Sequence, residues 1–144
     1  MNAEDDCVFC AIVRGDTPAQ IAFEDELTIA FLDVRPLFHG HTLLIPRAHH
    51  ETLADLPAEA VGPLFLTVQR LSVAVEAAME AEGTFVALNN KVSQSVPHVH
   101  VHVVPRRRKD GLRGFFGPRT KYADDAEMDE VAGRIRAALP ATAG

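Results

Sequence analysis

The sequence predicts an α+β fold: a five-stranded antiparallel sheet with one long helix packed on it and a shorter C-terminal helix. Three observations carry this reading. Five short apolar segments are bounded by Pro, Gly or acidic turns, as strands are. Residues 58–82 repeat apolar side chains at helical spacing. Near the end, His98-Val99-His100-Val101-His102-Val103-Val104 alternates with the two-residue period of a strand.

Taken in order, residues 7–14 read as a short helical turn closing near Gly15, with Pro18 beyond it. Residues 20–24 and 28–33 form a hairpin across Asp25-Glu26. Pro36 and Gly40 mark a loop, and residues 41–45 form a buried strand stopped by Pro46. On the long helix Val61, Leu64, Phe65, Val68, Leu71, Ser72, Val75, Ala78 and Met79 share the buried face, and Gly83 is its stop signal. Residues 84–88 form the next strand, residues 89–94 a polar loop, and residues 98–104 the last strand, ended by Pro105. A final helix spans 125–139, with Asp124, Asp125 and Glu127 at its start and Arg134 and Arg136 near its end, as the macrodipole prefers. Residues 1–6 and 141–144 read as flexible ends. Without repeats, low-complexity stretches or linkers, residues 1–144 read as one domain.

Composition narrows the function. With 47% hydrophobic and 24% charged residues, the chain has an ordinary globular make-up. A net charge of −6 disfavours a general nucleic-acid binder. No apolar run reaches the length of a membrane span, about 18 residues. The start, Met1-Asn2-Ala3-Glu4-Asp5-Asp6, lacks the basic and apolar parts of a signal peptide, which points to the cytoplasm. Charge is unevenly placed: Arg106, Arg107, Arg108, Lys109, Arg113, Arg119 and Lys121 are half of the 14 basic residues. They read as a solvated loop or as a basic lip that attracts a phosphorylated ligand.

Cys7 and Cys10 have Cys-x-x-Cys spacing. In a cytoplasmic chain they could hold zinc with two histidines from elsewhere, remain free thiols, or serve redox chemistry. The redox reading lacks the strand that usually precedes such a motif.

All seven histidines fall in two groups: His39, His41, His49 and His50, then His98, His100 and His102. Alternation puts the last three on one face, about 6–7 Å apart, with Val99, Val101 and Val103 facing the core. Imidazoles so placed suit proton transfer, phosphate binding, nucleophilic attack or metal ligation. His41 and His49 flank residues 43–47 and serve different centres, while His39 and His50 face solvent.

The alternating segment resembles the His-φ-His-φ-His-φ-φ signature of the histidine-triad (HIT) superfamily, and the likeness spans nearly the whole chain. Cys7-Val8-Phe9-Cys10-x-Ile12, Phe31-Leu32-Asp33, Gly40-His41-Thr42-Leu43-Leu44-Ile45-Pro46-Arg47-x-His49 and Gln94-Ser95-Val96-x-His98 are similar to family blocks in the right order. The pattern looks most like the small Hint-type and bacterial members.

The resemblance implies cleavage at the α-phosphate of a purine nucleotide, such as a nucleoside phosphoramidate or an adenylated small molecule. His100 would be the nucleophile, forming a nucleotidyl-histidine that water then hydrolyses, with no metal in the chemical step. His102 would bind phosphate and position His100, and Ser95 and Gln94 would donate to phosphate or leaving group. Val8, Phe9, Ile12, Phe31 and Leu32 would hold the base. Asp33 would accept from the ribose hydroxyls, and Asn89, or alternatively Asn90, would contact the phosphate or ribose side. The same resemblance implies structural zinc on Cys7, Cys10, His49 and His98, His41 hydrogen-bonded near His98 or His100, and a homodimer. Other readings are a dinucleoside polyphosphate hydrolase using Arg106–Arg108, a nucleotide-sensing module, and a zinc-dependent hydrolase. The loop before Gln94 departs from the family pattern: it is glycine-free, and Ser93 stands where many members have glycine.

Overall fold

The computed structural model describes residues 4–113 and 121–138. They belong to two compact units, residues 1–110 and 111–144, each described by itself. The first contains α1 (Val8–Arg14), β1 (Ile21–Glu24), β2 (Thr28–Leu32), β3 (Thr42–Pro46), α2 (Ala58–Ala78), β4 (Gly83–Ala87) and β5 (Val101–Arg106). The second contains α3 (Asp125–Ala138). The five strands form one antiparallel sheet in the order β1-β2-β3-β5-β4. The predicted sheet, long helix and C-terminal helix are all present. Leu139, Phe115, Phe116, Arg119 and the tail at 141–144 lie outside the described residues. Residues 4–6, predicted flexible, form a turn from which the Glu4 carbonyl accepts the Cys7 amide at 3.4 Å.

Alternation along the strands builds two cores. Ala30, Leu44, Val99, Val101 and Val103 pack with Leu64, Val68, Leu71 and Val75 of α2. Ile29, Phe31, Leu43 and Ile45 face the other way and pack with Phe9 and Cys10 of α1. β2 and β3 are therefore covered on both faces. Full burial of side chains such as Leu44 and Ile45 is worth about 1.5–3 kcal/mol each.

The elements differ from the sequence reading at three places. α2 ends at Ala78, four residues before the predicted end. Glu80 adopts φ 51°, Arg107 Nη2 donates to the Met79 and Glu80 carbonyls, and the Glu82 amide already donates to Arg106 O of β5. Gly83 consequently opens β4 instead of stopping the helix. On α2, Phe65 and Ala78 are exposed and Thr67 is buried. The Thr67 hydroxyl donates to Pro63 O at 3.2 Å within the helix, which lets it enter the core. Finally, β5 begins at Val101 and includes Pro105. Residues 98–100 continue the alternation outside the ladder, because Pro46 ends β3 there. The Val99 amide donates instead to His50 O at 2.7 Å.

The loop from Asp33 to His41 turns on Gly40, whose φ of +96° favours glycine and where a Cβ would lie 2.6 Å from Met79 Cγ. Gly40→Ala is expected to lower unfolding free energy by about 1–2 kcal/mol in urea titration. Unchanged stability would show that the turn relaxes.

Candidate active site

A cleft of about 360 Å³ opens between α1 and the sheet. Val8, Phe9 and Ile12 of α1, Phe31, Leu32, Asp33 and Val34 at the end of β2, Leu43 of β3, Ser95, Val96, His100 and His102 line it, with Thr17, Pro18 and Ala19. Every residue predicted to hold the base thus lines one cavity with Asp33, Ser95, His100 and His102. Asn89 and Gln94 do not line it. Asn89 Nδ2 donates to Ser93 O, while Gln94 accepts from the Lys91 amide at 2.7 Å and donates to Glu51 O at 2.6 Å. Lys91 and Ser93 of this glycine-free loop adopt φ of 69° and 62°, the left-handed region that glycine would enter without strain. A larger hollow of about 560 Å³ is lined by residues 36–39 with Met79, Pro105 and Arg107, but His39 is its only histidine and none of the second histidine group lines it.

Main-chain groups fix the histidine tautomers. His100 is buried, and its Nδ1 lies 2.7 Å from His98 O. A carbonyl only accepts, so Nδ1 carries the proton and Nε2 keeps the lone pair. His41 Nδ1 accepts the Leu37 amide at 3.0 Å, so the proton of neutral His41 sits on Nε2. That N–H donates to His102 Nδ1 at 2.9 Å, leaving His102 with an N–H at Nε2. His41 therefore pairs with His102, not with His98 or His100 as predicted. The partner follows from the cross-strand register, in which His102 lies opposite Leu43. Asp33 Oδ2 is 3.6 Å from His41 Nε2, and its Oδ1 accepts the Arg35 amide.

Burial keeps the His102 and His41 rings neutral. His102 is pushed down to about 4 by burial and then by the neighbouring His100 and His41, with Asp33 opposing. His41 is lowered by burial, again opposed by Asp33. Phe9 packs its ring against His100 with centroids 5.1 Å apart and nearly perpendicular planes.

Behind the cleft, Cys7, Cys10, His49 and His98 bring their ligand atoms within 4.8 Å of one another. His98 Nδ1 is 3.5 Å from each sulfur, and His49 Nδ1 is 3.3 Å from Cys10 Sγ. These are edge lengths of a tetrahedron with zinc–sulfur and zinc–nitrogen bonds of about 2.0–2.3 Å. His98 Nε2 donates to Pro46 O at 2.8 Å, which leaves Nδ1 as the ligand nitrogen. Burial, then the Cys7 thiol, pushes Cys10 up to about 11, a thiol that ionises at neutral pH only beside a cation. The residues fit the metal. His49 lies with the two cysteines and His41 lies with His102, while His50, predicted exposed, is half-buried with its carbonyl engaged by Val99.

Within the described part of the basic segment, three arginines are engaged by the protein itself. Arg106 pairs with Asp110 at 2.6 Å, Arg107 with the α2 carbonyls, and Arg108 with Glu82 at 2.6 Å. None of the three lines the cleft. Among the described residues no helix is long and apolar enough to cross a membrane.

Fold and site define a small α+β protein with hydrogen-bonded, oriented imidazoles at an apolar cleft. The chain belongs to the HIT family: the HIT domain model matches residues 14–109. It is 40% identical over 131 residues to an uncharacterised HIT-like protein of Mycobacterium tuberculosis, covering 90% of this chain and 89% of that protein. The adenylylsulfatase HINT3 of Arabidopsis thaliana is 36% identical, over 76% of this chain and 56% of its own length. The adenosine 5'-monophosphoramidase HNT1 of Saccharomyces cerevisiae is 37% identical, over 74% of this chain and 66% of its own. Among solved structures, a protein of Streptococcus mutans superposes with a TM-score of 0.84 at 32% identity, covering 92% of this chain and 85% of that one. A zinc-bound histidine triad family protein of Mycobacterium smegmatis gives 0.72 at 37% identity, covering 94% and 99%. At family level these relatives support nucleotide hydrolysis.

The low proton affinity of His102 predicts an acid-labile fold. Between an unfolded value of about 6.5 and about 4, the folded state binds fewer protons, so stability present above pH 6.5 is lost as pH falls toward 4. Urea midpoints measured from pH 7 to 4.5 should fall in wild type and fall less steeply in His102→Asn. Equal slopes would show that the proton affinity of His102 does not change on folding.

Proposed function

We propose that the protein hydrolyses adenylated small molecules or nucleoside phosphoramidates at the α-phosphate through a nucleotidyl-histidine on His100. The observation that carries this is the His100 Nδ1–H held by His98 O, which leaves Nε2 unprotonated at the cleft. In the first step Nε2 forms a bond to phosphorus while the bond to the leaving group breaks in line, and the leaving group takes a proton. In the second, water attacks the same phosphorus, its proton is released, and His100 departs with the lone pair on Nε2. The N–H at His102 Nε2 donates to a non-bridging phosphate oxygen, stabilising charge as it develops. The Ser95 hydroxyl, at the cleft, donates to phosphate or leaving group, and Gln94 reaches the leaving group only by releasing Glu51 O.

Val8, Phe9, Ile12, Phe31 and Leu32 enclose a purine base, and Asp33 accepts from the ribose hydroxyls. Asn89 contacts the phosphate side after leaving Ser93 O. A small leaving group is favoured over a second nucleotide, because Arg106–Arg108 are held by Asp110, Glu82 and the end of α2. Two relatives named for adenylylsulfate and adenosine phosphoramidate support the same choice.

Zinc on Cys7, Cys10, His49 and His98 is structural in this reading: four protein ligands leave no open position for substrate. The zinc-bound mycobacterial neighbour supports it. The protein is proposed to be cytoplasmic and homodimeric. The edge strand β4 and the exposed Phe65, Leu66 and Val73 of α2 and Val86 of β4 offer the dimer surface.

His100→Asn should lower turnover of adenosine phosphoramidate at least about a thousandfold while AMP still binds. Wild type that binds AMP but turns over no adenylated compound would make the chain a sensing module instead. Elemental analysis should find one zinc per chain, absent in Cys10→Ala, whose melting temperature falls. Equal melting temperatures for zinc-loaded and stripped protein would contradict a structural metal.

A further inference from the structure

We propose that the Cys7–Cys10–His49–His98 centre and the nucleotide cleft are thermodynamically linked, so that zinc tightens nucleotide binding and nucleotide tightens zinc by the same factor. This rests on the reading that the cleft takes a nucleotide and the centre takes zinc, and it adds a second role to a metal that touches no substrate.

α1 is the first connection. It has seven residues, two turns, and a helix of that length has no stability of its own in water. What holds it in place is its docking. Cys7 caps it and Cys10 lies one turn on, and both sulfurs face His98. Val8, Phe9 and Ile12 of the same two turns form one wall of the cleft. A metal drawing Cys7 and Cys10 onto His49 and His98 therefore sets the position of that wall. A base pressed against Val8, Phe9 and Ile12 presses the two cysteines toward their partner histidines.

His98 is the second. Its ring is a metal ligand, while its carbonyl holds the proton of His100 at 2.7 Å. Its neighbour Val99 is tied to His50 O at 2.7 Å, and His50 follows the ligand His49 in the chain. The two histidine ligands thus sit on two segments already clamped by one backbone hydrogen bond. The Phe9 ring joins both connections, with centroids 5.1 Å from His100, 5.3 Å from Phe31 and 6.0 Å from His98.

Linkage is reciprocal for binding free energies, and couplings of this kind amount to about 5–150-fold. The test uses the full chain. AMP is titrated calorimetrically into zinc-loaded and zinc-stripped protein, and zinc affinity is measured by competition with a chromogenic chelator with and without saturating AMP. Circular dichroism establishes whether the stripped protein is folded. The expected result is one factor, about 5–150, in both directions. Equal affinities in folded loaded and stripped protein would overturn the linkage. If stripping unfolds the chain, cobalt-loaded protein, which stays folded, decides: saturating AMP should shift the cobalt d–d bands, and unmoved bands would overturn the proposal. Failure of AMP to bind zinc-loaded protein would remove the nucleotide reading, and this inference with it. AMP binding with a ratio of one removes the linkage alone.

Discussion

A neutral imidazole has one lone pair and one N–H, and in this chain three main-chain groups decide which nitrogen has which. The His98 carbonyl accepts the Nδ1–H of His100, the Pro46 carbonyl accepts the Nε2–H of His98, and the Leu37 amide donates to the bare nitrogen of His41. From these follow a bare Nε2 on His100, a bare Nδ1 on His98 beside the two cysteine sulfurs, and a donor N–H on His102. Burial keeps His102 and His98 neutral near pH 7, each pushed to about 4. Were these rings solvated, tautomers would interconvert and no lone pair would be reserved for its task.

The fold supplies these partners by letting two strands end unevenly. β3 stops at Pro46, which has a carbonyl to give and no N–H. The chain then leaves the sheet, and residues 98–100 run alongside it held by His50 O. Val99 remains anchored in the α2 core, so His98 and His100 stay on the α1 side without a ladder. Coverage of the central strands on both faces makes a one-residue slip costly, since it would exchange valines for histidines in the core. Register and chemistry are thereby protected by the same packing.

Much of this was legible in the chain. The His-Val alternation announced both the face and the core, and Cys-x-x-Cys with two histidine groups announced a second centre. Local signals failed where the answer depends on distant pairing. His41 was assignable to His102 only through the β3–β5 register, which places residues 43 and 102 opposite each other. The helix end at Ala78 was hidden because Arg107 captures carbonyls 27 and 28 residues earlier in the chain. Arg107 and Arg108 read as free charge because their partners, the end of α2 and Glu82, are remote in sequence, whereas Arg106 pairs with Asp110 only four residues on. Leu37 had no signal, since its contribution is a backbone amide that any residue but proline could make.

The stereochemistry at phosphorus tests the central claim most directly. A substrate chiral at the α-phosphorus through sulfur and oxygen-isotope substitution is hydrolysed by the wild-type protein, and the product configuration is read by phosphorus NMR. Attack by His100 followed by attack of water makes two in-line displacements, so net retention is expected. Inversion would mean that water attacks the nucleotide directly and that the lone pair reserved on His100 never bonds to phosphorus.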